Sequence, residues 1–400
     1  MKIVALVLLG FVTLAAQAAE KVVVTVENKS ALARPGEIVS IPFAEIRRHM
    51  PDALMDHLIV RNAATGAELP NQTTNFHPSD GHALLDDFLF QYDFAAGEKT
   101  AEFIIERTAA PVPPYPARVF ARYVPERFDD FAWENDRIGH RVYGPVLDSP
   151  DAGKERMTSS GIDVWCKRVP YPIVNRWYNK GSGGYHVDTG EGLDTYSVGT
   201  GRGCGGTGIW DGKKLHVSRN WKTWKVLANG PLRAVFELSY APWDAGDGVK
   251  VSETKRFTVD AGSNLDRIES TFVIEGGPGE ATVAVGIGEP PDAKLAAVTR
   301  NESGAWLSFW QEYPKAGSLG CAVMLSPGTL AGFAEGASDA KFKNQLILAK
   351  VKSGQTLRYY AGAGWSRSGQ FASQADWEAY LAAFAQRLCA SIEIARVEAR

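Results

Sequence analysis

From Ala121 onward the chain delivers strand-like runs one after another with no helical stretch between them. ARVFARYV, RIGHRVYG, IDVWCKRV, KLHVSRN and RAVFELSYA come first; ATVAVGIG, AWLSFWQEY, GCAVMLS, NQLILAKV and TLRYYAGAG follow. Between the two sets, VSETKRFTV and LDRIESTFVI flank Asp260-Ala261-Gly262-Ser263-Asn264, residue types that tolerate turn dihedrals, so this segment is a hairpin in outline. Many short strands at this spacing argue an all-β fold: a large antiparallel β-sandwich over residues 121–400.

A smaller N-terminal β module is expected over residues 20–108. KVVVTV and EIVSIPF are β-branched runs broken at Arg34-Pro35-Gly36, and FLFQYDF and AEFIIE form a second hairpin candidate around Ala95-Ala96-Gly97. APVPPYP marks a proline-rich linker over residues 109–120. One C-terminal helix is expected: Ser373-Gln374-Ala375-Asp376 resembles a capping box, and Trp377, Tyr380, Leu381, Phe384 and Leu388 recur at helical spacing, a stripe for packing against a sheet.

Residues 1–19 open with a Lys, an apolar run from Ile3 to Leu14 and Ala16-Gln17-Ala18, the outline of a secretory signal peptide too short for a membrane span. A periplasmic or secreted protein, free of the membrane after cleavage, is the expectation. Net charge is −3 over 400 residues, which argues against nucleic acid as partner. Of Cys166, Cys204, Cys321 and Cys389, the first two flank a glycine-rich stretch and are the first pair to test for a disulfide; two buried free thiols are the alternative.

Three segments hold the candidate chemistry. In WENDRIGHRVYG, a continuous strand would set Trp133, Asn135, Arg137, Arg141 and Tyr143 on one face, a groove for an anionic ring-shaped ligand, and Glu134, Asp136, Ile138, His140 and Val142 on the other. In SGIDVWCKRVPYPIVNRWY, Trp165 and Lys167 share a face with Arg168, Tyr171, Arg176 and Trp177 close behind; cations beside aromatics suit a sugar bearing a carboxylate or sulfate. In YHVDTGEGLDTYSVGTGRGCGG, seven glycines free the backbone for close approach to a ligand. There, His186, Asp188, Glu191 and Asp194 offer donors to a divalent metal, or His186 serves as acid or base with a carboxylate orienting it. The GTGRGCGG run lacks the strand-to-helix context of a nucleotide loop, and no G-x-S-x-G or H-E-x-x-H is present.

Together with VLANGPLRAVFELSY, VSETKRFTVDAGSNLDRIESTF and YYAGAGWSRSGQFASQADWEAYL, these segments resemble the bacterial secreted family catalogued as domain of unknown function 4861, over nearly the whole chain after residue 19. The resemblance implies a supersandwich of the galactose mutarotase type, linked to breakdown of uronate-rich polysaccharides such as pectin or ulvan, and in some relatives an oligosaccharide dehydratase activity.

Roles follow from the chemistry of elimination. Removing the C5 proton of a uronate needs a cation on its carboxylate, a base near C5 and an acid for the oxygen leaving C4. Arg137, Arg141, Lys167, Arg168 or Arg202 are candidates for the first, His186 or a Tyr for the second, and Tyr185 or Tyr196 for the third, with Trp133, Asn135, Trp165 and Tyr171 lining the sugar. The expected activity is a carbohydrate-active lyase or dehydratase. Alternatives are a glycoside hydrolase using Glu191 and Asp194, an aldose epimerase, or a carbohydrate-binding protein without turnover.

Overall fold

The computed structural model describes residues 20–74, 87–181, 183–289, 296–339 and 341–400; the expected signal peptide lies outside them. Its body is an antiparallel β-sandwich. An eight-stranded sheet runs, in spatial order, Thr223–Asn229, Arg233–Asp244, Lys250–Asp260, Leu265–Glu275, Thr356–Trp365, Gly317–Leu325, Trp306–Tyr313 and Ala296–Asn301. Two five-stranded sheets face it. One contains Gly192–Asp194, Asp163–Lys167, Gly139–Val142, Asp130–Glu134 and Phe120–Val124; the other is built around Cys204–Trp210, Glu280–Glu289 and Lys343–Lys352. A single buried core joins all three, with Phe131, Trp133 and Val164, then Val285 and Ile347, meeting Phe236, Phe257, Ile268 and Tyr359 of the large sheet. The hairpin read from the sequence is present, with Thr258 opposite Arg267 and Gly262 at φ 84° in its turn.

The N-terminal module has its own core of Val22, Val24, Phe88, Phe90, Phe103 and Ile105, between a five-stranded and a three-stranded sheet. Two features differ from the sequence reading. Asp87–Phe94 and Thr100–Arg107 do not pair with each other: the turn at Ala95–Gly97 carries the chain across the module, so that the first strand joins Arg34–Pro42 and the second joins Lys21–Asn28. The module also does not end at residue 108. Strand Ile392–Ala399 leaves the region assigned to the large sandwich and pairs with Lys21–Asn28, covering what would be an open sheet edge.

Side-chain amides fasten the module to the sandwich. Gln72 accepts from the backbone N–H groups of Leu232 and Arg233 and donates to the Arg233 carbonyl; Gln91 donates to the carbonyls of Gly36 and Ala261. Gly36 sits at φ 66°, a conformation that favours glycine, and a Cβ on it would crowd the Gln91 amide at 3.3 Å.

The C-terminal helix Gln374–Cys389 carries the expected capping box between Ser373 and Asp376, and buries Trp377 and Leu381 against Trp306, Trp310, Ala322 and Met324. Two short helices, Phe43–His49 and Val174–Tyr178, were not legible in the sequence. The Cys166–Cys204 disulfide is not formed. Both are free and buried, as is Cys321, while Cys389 is free and exposed. Among the described residues no helix is long and apolar enough to cross a membrane.

Candidate functional site

WENDRIGHRVYG is a hairpin, not one strand, and this rearranges its faces. Asn135 Oδ1 accepts from the N–H groups of Arg137 and Ile138, closing a turn between Asp130–Glu134 and Gly139–Val142. Trp133 then pairs with His140, and Arg141 stands opposite Ala132 and Asp163. The core face therefore carries Phe131, Trp133, Val142, Val164 and Cys166, with His140 stacked on Trp133. The opposite face collects Asp130, Glu134, Arg141, Asp163, Trp165, Lys167 and Asp194, which period-two alternation assigns to one side once the turn is counted. Trp165, Ile173, Val174, Trp177, Tyr178 and Tyr185 form an apolar cluster over this charged face.

At its centre Arg141 is saturated. Its Nε and Nη2 donate to Asp163 Oδ2 at 3.0 and 2.6 Å, Nη2 also to Asp194 Oδ2 at 3.0 Å, and Nη1 to the Tyr185 hydroxyl at 3.3 Å. Tyr143 donates to the same Asp163 oxygen at 3.1 Å, and Asp130 Oδ2 lies 3.8 Å from Arg141 Nη1. Burial works against the charge of Arg141, yet Asp163 and Asp194 hold its guanidinium well above its ordinary value. Burial, with Asp163 beside it, pushes the Asp194 carboxyl well above the usual carboxylate range despite Arg141 and Arg127. Asp130 is pushed up to about 6, because burial outweighs the pull of Arg127 and Arg141.

Two members of this network reach solvent. The His186 side chain is 51% exposed, with Nδ1 3.1 Å from the Asp194 carbonyl oxygen and its ring 4.7 Å from that of Tyr185. Arg127 is 22% exposed and donates to Asp130 at 3.2 Å. It adjoins the strained pair Phe128 and Asp129, at φ 50° and 62°, a conformation rare for non-glycine residues and frequent where a loop is held for function.

The other residues singled out from the sequence fall elsewhere. Lys167 is buried, its ammonium bound to Glu134 at 2.6 Å and to the Asn135 and Tyr171 carbonyls. Glu134 also accepts from the backbone N–H groups of Ile173 and Val174, so this pair anchors the cover. Glu191 accepts from Arg176, Lys180, Tyr171 and Trp177; although burial opposes it, the Lys180, Arg176 and Tyr171 hydrogen bonds hold it down at about 2, ionised and occupied. Arg168 pairs with Asp188 and lies over Trp365. Trp133 is in the sandwich core, where it donates to Asp266, and Asn135 is spent on its turn and on the Asp260 and Ser263 carbonyls. Tyr196 is buried on the Gly288 carbonyl. Arg202 is enclosed between sheets on Ser160 and Thr207, and burial brings it down to about 10. Arg137 lines a large cleft beside the C-terminal helix.

The structure thus brings together Tyr185, His186, Arg141, Asp194 and Trp165, whose ring lies 5.3 Å from that of Tyr185 and under the Arg141 guanidinium, and places the rest elsewhere. With Asp188 turned to Arg168 and Asp194 to Arg141, the expected metal donors diverge; among the described residues no three His, Cys, Asp or Glu side chains are grouped to hold a metal. Sequence reasoning missed Arg127, Asp130 and Asp163. The buried acids of DFAWE and DVWCK were the available signal, hidden by treating residues 133–144 as one strand.

A family model described as "Domain of unknown function (DUF4861)" matches residues 26–394. The chain belongs to the DUF4861 family. Within reach of it stands a Formosa agariphila protein described as "Uncharacterized protein P7", 30% identical over 389 residues, 96% of this chain and 95% of that one. Among solved structures, the DUF4861 chain is similar to a glycosyl hydrolase family 38 protein from Enterococcus faecalis at 10% identity and TM-score 0.49, covering 96% of this chain and 48% of the other. An α-mannosidase from Enterococcus faecalis V583 gives 10% and 0.48, with 95% and 46% covered. The chain spans about half the length of these two structures.

Proposed function

We propose that this DUF4861 protein is an exported carbohydrate-active enzyme acting by elimination on uronate-containing oligosaccharides, as a lyase or dehydratase, at the His186 edge of the covered cluster. The observation that carries the reading is the half-exposed imidazole of His186, oriented through Nδ1 by Asp194 above a buried Arg141 network. With Nδ1–H donated to the Asp194 carbonyl, Nε2 keeps a lone pair for a proton from outside. Arg127, whose carboxylate partner is Asp130 and whose guanidinium is partly exposed, is the cation for the uronate carboxylate, the role for which the sequence offered Arg137, Arg141, Lys167, Arg168 or Arg202.

In the step proposed, Nε2 takes the C5 proton, the C4–O bond breaks as the C4=C5 double bond forms, and the imidazolium returns the proton to the departing oxygen. Water leaving is dehydration; a sugar leaving is chain cleavage. The buried phenol of Tyr185, engaged by Arg141, orients the ring above it. The apolar opening segment, residues 1–19, supports export.

Incubation of the purified protein with uronate-ended oligosaccharides tests this reading. The expected result is a growing absorbance of the conjugated unsaturated uronate, with mass spectrometry showing loss of water or chain cleavage. Unchanged masses and no chromophore on any uronate oligosaccharide sink it; cleavage with addition of water and no chromophore replaces it with hydrolysis.

A further inference from the structure

A cleft of about 830 Å³ lies where the N-terminal module, the eight-stranded sheet and the C-terminal helix meet, well within the size range of ligand pockets. Six arginines line it: Arg34, Arg137, Arg233, Arg267, Arg358 and Arg387. Its carboxylates are Glu37 and Asp260. Three of the arginines are committed to structure. Arg233 holds Asp260 at 2.6 Å, Arg358 holds Glu269 at 2.7 Å, and Arg34 donates to the Ala390 carbonyl with Glu37 at 3.5 Å.

The other three are held more loosely: Arg267 donates to Thr258 Oγ1 at 3.2 Å, and Arg387 lies over the Tyr380 and Phe384 rings. Arg137 and Arg387 have no carboxylate within ion-pair distance among the described residues, and Arg267 comes no nearer to one than 4.0 Å, to Glu269. Two buried polar atoms of lining residues, Arg267 Nε and Gln370 Oε1, have no hydrogen-bond partner among the described residues. Unmatched buried donors and acceptors destabilise the fold unless something outside the chain meets them. Beside them Tyr360 and Phe384, edge to face at 5.3 Å, give the cleft an apolar wall.

From this we infer that the junction cleft is a second binding site, for an acidic oligosaccharide carrying carboxylate or sulfate groups. Guanidinium forks match such anions, and the aromatic wall matches the C–H faces of a sugar ring. The site holds a chain by its charges, and it stands apart from the His186 cluster, so it does not depend on the elimination reading.

The test is calorimetric titration of the whole protein with a galacturonate tetrasaccharide, sulfated maltotetraose, unmodified maltotetraose and inorganic sulfate at equal ionic strength. A charged tetrasaccharide is expected to bind, weakening as salt rises, while unmodified maltotetraose does not. The two charged arms identify the anion. Arg387→Gln and Gln370→Glu are each expected to weaken binding by about 10-fold or more, the first by removing a cation and the second by placing a carboxylate in the cleft. Gln370→Glu is nearly isosteric and keeps the test decisive if Arg387→Gln fails to fold. Affinities unchanged in the folded variants, inorganic sulfate binding as tightly as the tetrasaccharide, or no binding of either charged tetrasaccharide each overturn the inference. Variant-sensitive binding without turnover removes only the His186 reading; turnover with no such binding removes only this one.

Discussion

His186 Nδ1 lies 3.1 Å from the backbone carbonyl of Asp194, whose carboxylate is at the same time held by Arg141 at 3.0 Å. One residue thus ties a half-exposed imidazole to a buried charge network, so orientation of the ring is inherited from the fold beneath it.

Replacement of His186 by Ala or Gln is expected to lower kcat on uronate oligosaccharides by ~10² to 10⁴-fold, the usual worth of a positioned general base. Because the side chain is half exposed, the melting temperature should stay within a few degrees of wild type, about what surface changes produce. Steady-state kinetics beside a thermal melt separates the two; retained kcat in a folded variant removes His186 from the reaction.

Lys167→Met leaves Glu134 buried without its ammonium partner at the point where Ile173 and Val174 anchor the cover. The expected loss is about 3–5 kcal/mol, read from urea unfolding midpoints. A surface pair would lose less than about 1 kcal/mol, and that result would show the cover to be held by its aromatic packing instead.

Asp266 is buried against Trp133 Nε1 at 2.7 Å, and burial pushes its carboxyl up to about 7. The folded state therefore binds this proton more tightly than the unfolded chain, whose Asp titrates near about 3.9. Its contribution to stability is complete below that value and is lost as pH rises through about 7. Asp266→Asn removes the titration, so the variant should gain on wild type between pH 5 and pH 8 by on the order of 2 kcal/mol. His140, lowered to about 4 by burial, acts in the opposite sense and is present in both proteins. Parallel pH profiles of the two unfolding free energies would refute the assignment.

A chain ending at residue 391 lacks Ile392–Ala399 and leaves Lys21–Asn28 as an open edge. Limited proteolysis should then cut within residues 20–108 well before the sandwich, and the truncated protein should associate at concentrations where the full chain does not. Equal protease resistance would mean the N-terminal module is self-sufficient.

With all four cysteines free and only Cys389 exposed, thiol titration should count one reactive group in the native protein and four after denaturation without reductant. A count of two after denaturation would establish a disulfide.

Much of the architecture was legible in the chain itself. Alternation marked the strands, Asp260–Asn264 marked a turn, Ser373 with Asp376 marked the helix start, and the likeness over residues 26–394 marked the family. These signals are local, or are copied by descent, and need no knowledge of what packs on what.

The site was less legible because its geometry depends on parity and on distant partners. Asn135 closes a turn that shifts Arg141 to the other face, and in a strand one residue of shift exchanges every inside position for an outside one. Which cations stay free is decided by whether an acid from another segment arrives, as Glu134 does for Lys167 and Asp163 for Arg141, but no carboxylate does for Arg387 among the described residues. Sequence determined the strands and their turns, because dihedral preference and periodicity act over a few residues; tertiary structure decided burial, pairing and exposure, because the energies that set them come from groups far apart along the chain.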